Sequence, residues 1–335
     1  MELNIVWFVL VAVLFIGFFF LEGFDYGVGM LVKLLGKNDA ERSTIIRTIG
    51  PVWDGNEVWM ITAGGALFAA FPHVYATMFS GFYLALFVLL VALILRGVAF
   101  EFRGQHDSPR WRSAWDWAIF FGSCVPALLW GVAVANLLAG VPIDANMQYV
   151  GSFFDLLSPY TLMTGVAFLL VFLYHGCAFL TLKVHEPLAG DARDMALYAG
   201  GGALFAAIAM LSMTAVVTDA MASGLAVVLF VLAAILLVLS YLAMLIDVCK
   251  KAFIFSSLSI AMLTAGFFAG LFPRLMVSSL DNAWSLTIYN AASTPYTLSI
   301  MTVAAVCLVP IVLGYQIWTY WVFRRRISQF DRVEH

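Results

Sequence analysis

The sequence predicts an all-α polytopic membrane protein of nine transmembrane helices, with its N-terminus outside and its C-terminus in the cytoplasm. Three observations predict it. Hydrophobic residues fill 63% of the 335 positions and charged residues only 11%, whereas roughly a quarter of an ordinary soluble domain is charged. With a mean hydropathy of +0.98, the chain has no room for a sizeable soluble domain. Its apolar runs reach the roughly 20 residues that a helix rising ~1.5 Å per residue needs to cross a ~30 Å core. Its basic residues fall almost entirely on one side of that pattern.

The runs lie at about 5–33, 52–71, 76–96, 115–139, 159–182, 195–217, 223–246, 252–273 and 295–323. The first carries Glu22 and Asp25 inside otherwise apolar sequence. Met1 to Leu21 does not read as a cleaved signal peptide, because Glu2 stands in its n-region and no small-x-small site follows. The second run opens PVWDGNEVW (51–59), and the third ends on Arg96. The ninth starts at Thr294-Pro295, where proline suits the first helical position. Between runs, only the stretches near 34–51, 97–114, 140–158 and 274–294 can hold visible loop structure.

With the N-terminus outside, the cytoplasmic segments contain Lys33, Lys37, Arg42, Arg47, Arg96, Arg103, Arg110 and Arg112. They also contain Lys183, Arg193, Lys250, Lys251, Arg324, Arg325, Arg326 and Arg332. Of the 17 Lys and Arg, only Arg274 falls outside. The positive-inside rule gives the orientation, and so one-sided a distribution also fits an odd number of spans.

The whole of 1–335 is expected to be one membrane domain. GGALFAA occurs at 64–70 and again at 201–207, and LFVL at 86–89 and 229–232. The repeats suggest a first four-helix unit over about 1–140, a second over about 141–273, and a ninth helix at about 295–323. Coincidence in a chain rich in Ala, Gly, Leu and Phe is the other reading. Either way, small residues permit close packing between helices in lipid. Trp111, Trp115 and Trp117, and Trp318, Tyr320 and Trp321, sit at cytoplasmic helix ends, where interfacial anchoring accounts for them.

Several chemistries find no support. The net charge is −3 and no basic patch interleaves with aromatics, so nucleic acid is not an expected partner. Cys124, Cys177, Cys249 and Cys307 lie in spans or at a cytoplasmic end, which implies no disulfide framework, and no Cys or His pair has zinc spacing. Of the histidines, His73, His106, His185 and His335 lie at turns, in loops or at the terminus. Only His175 is deep enough for a haem, and it lacks an evident axial partner. No metal ligand or catalytic residue is therefore assigned to this chain alone.

The acids carry what chemistry the sequence does show. A charge at mid-bilayer costs at least ~2.5–3.5 kcal/mol, so it persists when paired, functional or both. Glu22 and Asp25 share a helix face three residues apart, about 16 and 12 Å from the cytoplasmic boundary at Lys33. Asp54 and Glu57 repeat the spacing near the start of the second run, and Arg96 lies near the entrance. Carboxyl groups at graded depth form a proton pathway if each can take and release a proton. The alternative is a set of fixed ion pairs, chiefly with Arg96, that lock three helices together.

The segments LEGFDYGVGM (21–30), PVWDGNEVWMITAGGALFAAFP (51–72), FSGFY (79–83) and ILRGVAFEFR (94–103) resemble subunit II of the cytochrome bd-type quinol oxidases. So do WDWAIFFGSCVPALLWGVAVANLLAGVP (115–142), FIFSSL (253–258) and NAASTPYTLSIMTVAAVCLVP (290–310). The resemblance covers essentially the whole chain. It implies two four-helix bundles plus one peripheral helix, in a bacterial or archaeal cytoplasmic membrane. It implies a heterodimer with a homologous subunit I that holds b-type and d-type haems and oxidises quinol while reducing oxygen to water. In the family, the Asp of GFDxG and the Asp of WDGN are associated with a proton route, and these are Asp25 and Asp54. Extending the route to Glu22, Glu57 and Arg96 rests on depth and spacing. Some members hold a quinone in subunit II, which makes a quinone a candidate cofactor, and small single-span accessory subunits are candidate partners. A proton-coupled membrane transporter, and a purely structural subunit, remain as rivals.

Overall fold

The computed structural model describes residues 2–327; Arg332 and His335 lie outside the described residues. The chain begins with α1 (Leu3–Leu34), whose residues 21–32 are all buried. At ~1.5 Å per residue α1 is long enough to cross a ~30 Å apolar core, and Glu22 and Asp25 lie in its buried second half. It is the central helix, packed against α3 (Trp53–Ala70), α6 (Pro109–Ala139), α7 (Pro159–Lys183) and α10 (Cys249–Leu271).

Two close approaches seat α7. A Cβ on Gly27 would lie 2.7 Å from the Gly176 Cα, and one on Gly131 would lie 2.7 Å from the Gly165 Cα. Glycine is required at both crossings, since the backbones themselves touch. The repeated GGALFAA segments behave differently. Their alanines Ala66, Ala70, Ala203 and Ala206 turn inward, while a Cβ on Gly64, Gly65 or Gly201 would meet nothing within 4 Å.

The rest of the helices are α2 (Asp39–Ile49), α4 (Pro72–Gly81), α5 (Tyr83–Phe102), α8 (Leu188–Val217), α9 (Gly224–Leu245) and α11 (Pro295–Val322). By length and composition, eight helices among the described residues can cross a membrane: α1 and α5 to α11. Counting α3 and α4 as one broken span makes nine. The expected third span, 76–96, needs correcting. Residues 72–81 form α4, which meets α3 at 120°, and the span itself starts at Tyr83. Continuous apolarity conceals the break. Phe71, buried, ends α3, Pro72 begins α4, and a Cβ on Gly81 would meet the Tyr149 ring at 2.6 Å.

At the end of the bundle holding α4, β1 (Arg274–Met276) pairs antiparallel with β2 (Leu286–Thr287). The Ser278 hydroxyl donates to the Ile143 carbonyl at 2.7 Å. Trp7, Phe71, Phe82, Ile143, Met276 and Ile288 pack there as a second apolar cluster. The opposite end is ionic and holds α2, within a stretch expected only to contain loop. Asn38 caps this helix by accepting from the Glu41 N–H at 2.9 Å, and Thr44, Ile45, Thr48 and Ile49 form its buried face. Arg103 joins Asp39 and buried Asp116 at 2.6 Å each, and Arg112 joins Asp39 at 2.6 Å. α11 stands at the periphery, with Leu298 its one buried residue. Thr294 caps it by accepting from the Thr297 N–H at 3.3 Å, with Pro295 in the first turn as expected.

Candidate functional site

The deep acids converge where α1, α3 and α5 meet. On α5, the buried residues Leu89, Ala92, Leu93, Arg96 and Ala99 form one face, which brings Arg96 inward. Gly122 of α6 makes room for it: a Cβ there would lie 2.7 Å from the Arg96 Cβ and 2.8 Å from the Ala92 carbonyl oxygen. Arg96, Glu22 and Asp25 are each 0% exposed.

One nitrogen of Arg96 serves two acids. Its Nη1 donates to Glu22 Oε1 and, at 2.8 Å, to Glu57 Oε1. The guanidinium carbon lies 4.9 Å from the centre of the Tyr26 ring and 5.5 Å from that of Phe100, within the range of cation–π attraction. Asp25 stands outside this pair of bonds. Its Oδ2 accepts from Asn56 Nδ2 at 2.5 Å, and its buried Oδ1 has no hydrogen-bond partner among the described residues. Two carboxyl groups, Glu22 and Glu57, thus share one guanidinium nitrogen, with Asp25 bonded beside them to an amide. Charges removed from water need compensation, because an unpaired buried charge is strongly destabilising.

Asn56 is held in turn by α11. Its Oδ1 accepts from the Tyr320 hydroxyl at 2.8 Å and from Gln316 Nε2 at 3.2 Å. Gln316 Oε1 accepts from Trp59 Nε1 at 2.7 Å.

Over residues 3–323 the chain matches the family model described as cytochrome bd terminal oxidase subunit II. The chain belongs to that family. Similar proteins include cytochrome bd ubiquinol oxidase subunit 2 of Bacillus subtilis strain 168, 44% identical, with 100% of this chain and 99% of that one covered. Cytochrome bd-I ubiquinol oxidase subunit 2 of Escherichia coli K12 is 40% identical, with 98% and 96% covered. The solved structure of bd oxidase from Geobacillus thermodenitrificans shares the fold at a TM-score of 0.75, with 15% identity over 96% of this chain and 99% of that chain.

In this subunit II, the structure brings together four of the five residues expected from sequence: Glu22, Asp25, Glu57 and Arg96. Asp54 is set apart. It is exposed on α3, on the same stripe as Val58, Ile61, Gly65 and Phe68, which are exposed as well. Ion pairing with Arg96 falls to Glu22 and Glu57, while Asp25 is bound by a neutral amide. Sequence reasoning missed Asn56, Gln316, Trp59 and Tyr320. The aromatic cluster at the end of α11 predicts an interfacial anchor at Tyr320, yet its hydroxyl turns inward, while Trp318 and Trp321 stay 58% and 59% exposed. The one sequence signal for Asn56 is its position between Asp54 and Glu57.

His175 is fully engaged. Nε2 lies 3.0 Å from the Phe20 carbonyl oxygen, an acceptor only, so Nε2 carries the proton. Nδ1 lies 2.7 Å from the Ser256 hydroxyl, whose proton is shared between it and the Phe253 carbonyl oxygen at 2.9 Å, and the ring stacks on Phe253 with centroids 4.8 Å apart. With both nitrogens held by protein partners, the imidazole does not fit an axial haem ligand. His175→Ala is expected to leave the haem spectrum of an assembled complex intact; loss of one haem band at normal assembly would make it a ligand.

Proposed function

We propose that this chain is the haem-free subunit II of a membrane quinol:oxygen oxidoreductase of the cytochrome bd type. It supports a haem-bearing subunit I and supplies protons from the cytoplasmic side for the reduction of oxygen to water. The observation that carries the reading is the buried cluster of three acids around one base, with Asp25 free at one oxygen. Exposed Asp54 lies one helical turn from Glu57 and gives the cluster a titratable group on the outer face of α3. The order of transfer is Asp54, Glu57, then Asp25 and Glu22, with Arg96 fixing Glu57 and Glu22. Family membership favours this reading over a proton-coupled transporter, and the engaged nitrogens of His175 fit haems placed in the partner.

Mild-detergent purification of the tagged chain, followed by an optical spectrum, tests the reading. A haem-rich integral subunit should accompany the chain. A colourless particle that works alone would favour a transporter.

The orientation follows from the ionic end of the bundle, which gathers Lys37, Arg42, Arg103, Arg112 and Arg193, and faces the cytoplasm by the positive-inside rule. Residues 140–158 and 274–294 are then extracytoplasmic. Cysteines placed in those segments should react with an impermeant reagent in intact cells, and a cysteine at Ser108 should not. Strong labelling at Ser108 from outside would reverse the topology, and with it the direction of the acid series.

A further inference from the structure

The two carboxyl oxygens of Asp25 have different surroundings, and the difference can be traced to a group on another helix. An indole N–H can only donate. Trp59 Nε1 lies 2.7 Å from the Gln316 side chain, so Gln316 must turn Oε1 to it and Nε2 to Asn56, at 3.2 Å. Asn56 must then answer with Oδ1, which also accepts from Tyr320. Only Nδ2 of Asn56 is left for Asp25, which must receive it as an acceptor. The two amide orientations are therefore dictated by a donor-only group rather than chosen freely. Gly17 seats that group: a Cβ there would overlap the Trp59 ring at 2.2 Å.

We propose that Trp59, Gln316 and Asn56 form a positioning relay, reinforced by Tyr320, that fixes Asp25 Oδ2 as a hydrogen-bond acceptor and leaves Oδ1 as the atom where the proton boards and leaves. The functional meaning rests on Asp25 being a proton carrier; the geometric claim stands apart from it. A free carboxyl can take a proton on one oxygen, rotate, and lose it from the other face. Asp25 cannot rotate without breaking its bond to Asn56, so both transfers run through the neighbours of Oδ1. This gives α11, which buries one residue, a defined role, because Gln316 and Tyr320 orient Asn56.

The test uses the whole purified complex and isotope-edited infrared difference spectra with labelled aspartate. The Asp25 band, carboxyl or carboxylate, is the one missing in Asp25→Asn. In Gln316→Glu, read at a pH high enough to ionise the new carboxyl, the side chain still accepts from Trp59 but offers Asn56 only an acceptor, so Asn56 reverses and shows Oδ1 to Asp25. The Asp25 band should then move, and turnover should fall about fivefold, the rate equivalent of one hydrogen bond, with the haem spectrum unchanged. Tyr320→Phe, which removes one of two donors to Asn56, should move the band less, and it carries the test alone if Gln316→Glu fails to assemble. A band unmoved in assembled Gln316→Glu, or in Tyr320→Phe where that variant stands alone, would overturn the relay. A band that moves while Asp25→Asn turns over normally would keep the relay and remove the proton route. A slow Asp25→Asn with a fixed band would do the reverse.

Discussion

Asp25→Asn is expected to lower the quinol-oxidase turnover of the assembled complex severalfold or more, with haem content and subunit stoichiometry unchanged. The substitution is close to isosteric, and the site receives it without rearrangement. The new amide oxygen can accept from Asn56 Nδ2 as Oδ2 does now at 2.5 Å. Its nitrogen then takes the place of Oδ1, which has no hydrogen-bond partner to lose among the described residues. The result resembles a permanently protonated acid, with its shape kept and its titration gone. Asp25→Glu should recover part of the rate, because a titratable group returns even though an added methylene displaces it. Normal turnover in Asp25→Asn would end the proton route. Failure to assemble would give the residue a structural role.

The deep acids are legible in the sequence because a carboxyl group in an apolar run is a large, local departure from expectation. The groups that orient them are not. Asn56 and Gln316 are neutral, carry no comparable signal, and meet across 260 positions of chain. Tyr320 sits between Trp318 and Trp321, so its composition reads as an interfacial belt, and only the phase of α11 reveals that its hydroxyl points inward. The same limit separates Asp54 from Glu57. Both lie on α3 at a spacing that suggests one face, yet Asp54 is exposed and Glu57 is bonded to Arg96. How far a helix is rotated about its axis depends on its neighbours, and the sequence of α3 alone does not contain it.

The spans are legible for a related reason: length and apolarity are properties of one segment. The break at Phe71 is not, because α4 carries no Asp, Glu, Lys or Arg to set it off from its flanks and turns across the end of the bundle to cover the second cluster. The helix α2 is hidden by its shortness and polarity. Half of its buried face of Thr44, Ile45, Thr48 and Ile49 is threonine, and its position depends on Arg103 and Arg112 reaching Asp39.

Arg96→Leu is expected to have the largest effect on the protein itself, by removing most of the intact complex. Glu22, fully buried, and Glu57, whose side chain is 16% exposed, both depend on the Arg96 Nη1. Removing one partner from a buried ion pair typically costs about 3–5 kcal/mol, since the remaining charge is left uncompensated, and here two carboxylates lose their cation together. That is comparable with the whole stability of many domains, about 5–15 kcal/mol. Arg96→Lys should keep much of the assembly, because both bonds pass through a single nitrogen that one ammonium can replace, although the contact with the Tyr26 ring is weakened. The decisive variant adds Glu22→Gln and Glu57→Gln to Arg96→Leu. With no ionised partner stranded, much of the lost yield and thermal stability should return, while turnover stays low for want of the titratable groups. Yield of haem-loaded complex and its melting temperature read both effects. An Arg96→Leu complex as abundant and as heat-stable as the parent would show that these three side chains do not hold α1, α3 and α5 together. The cluster would then have to be explained by proton transfer alone.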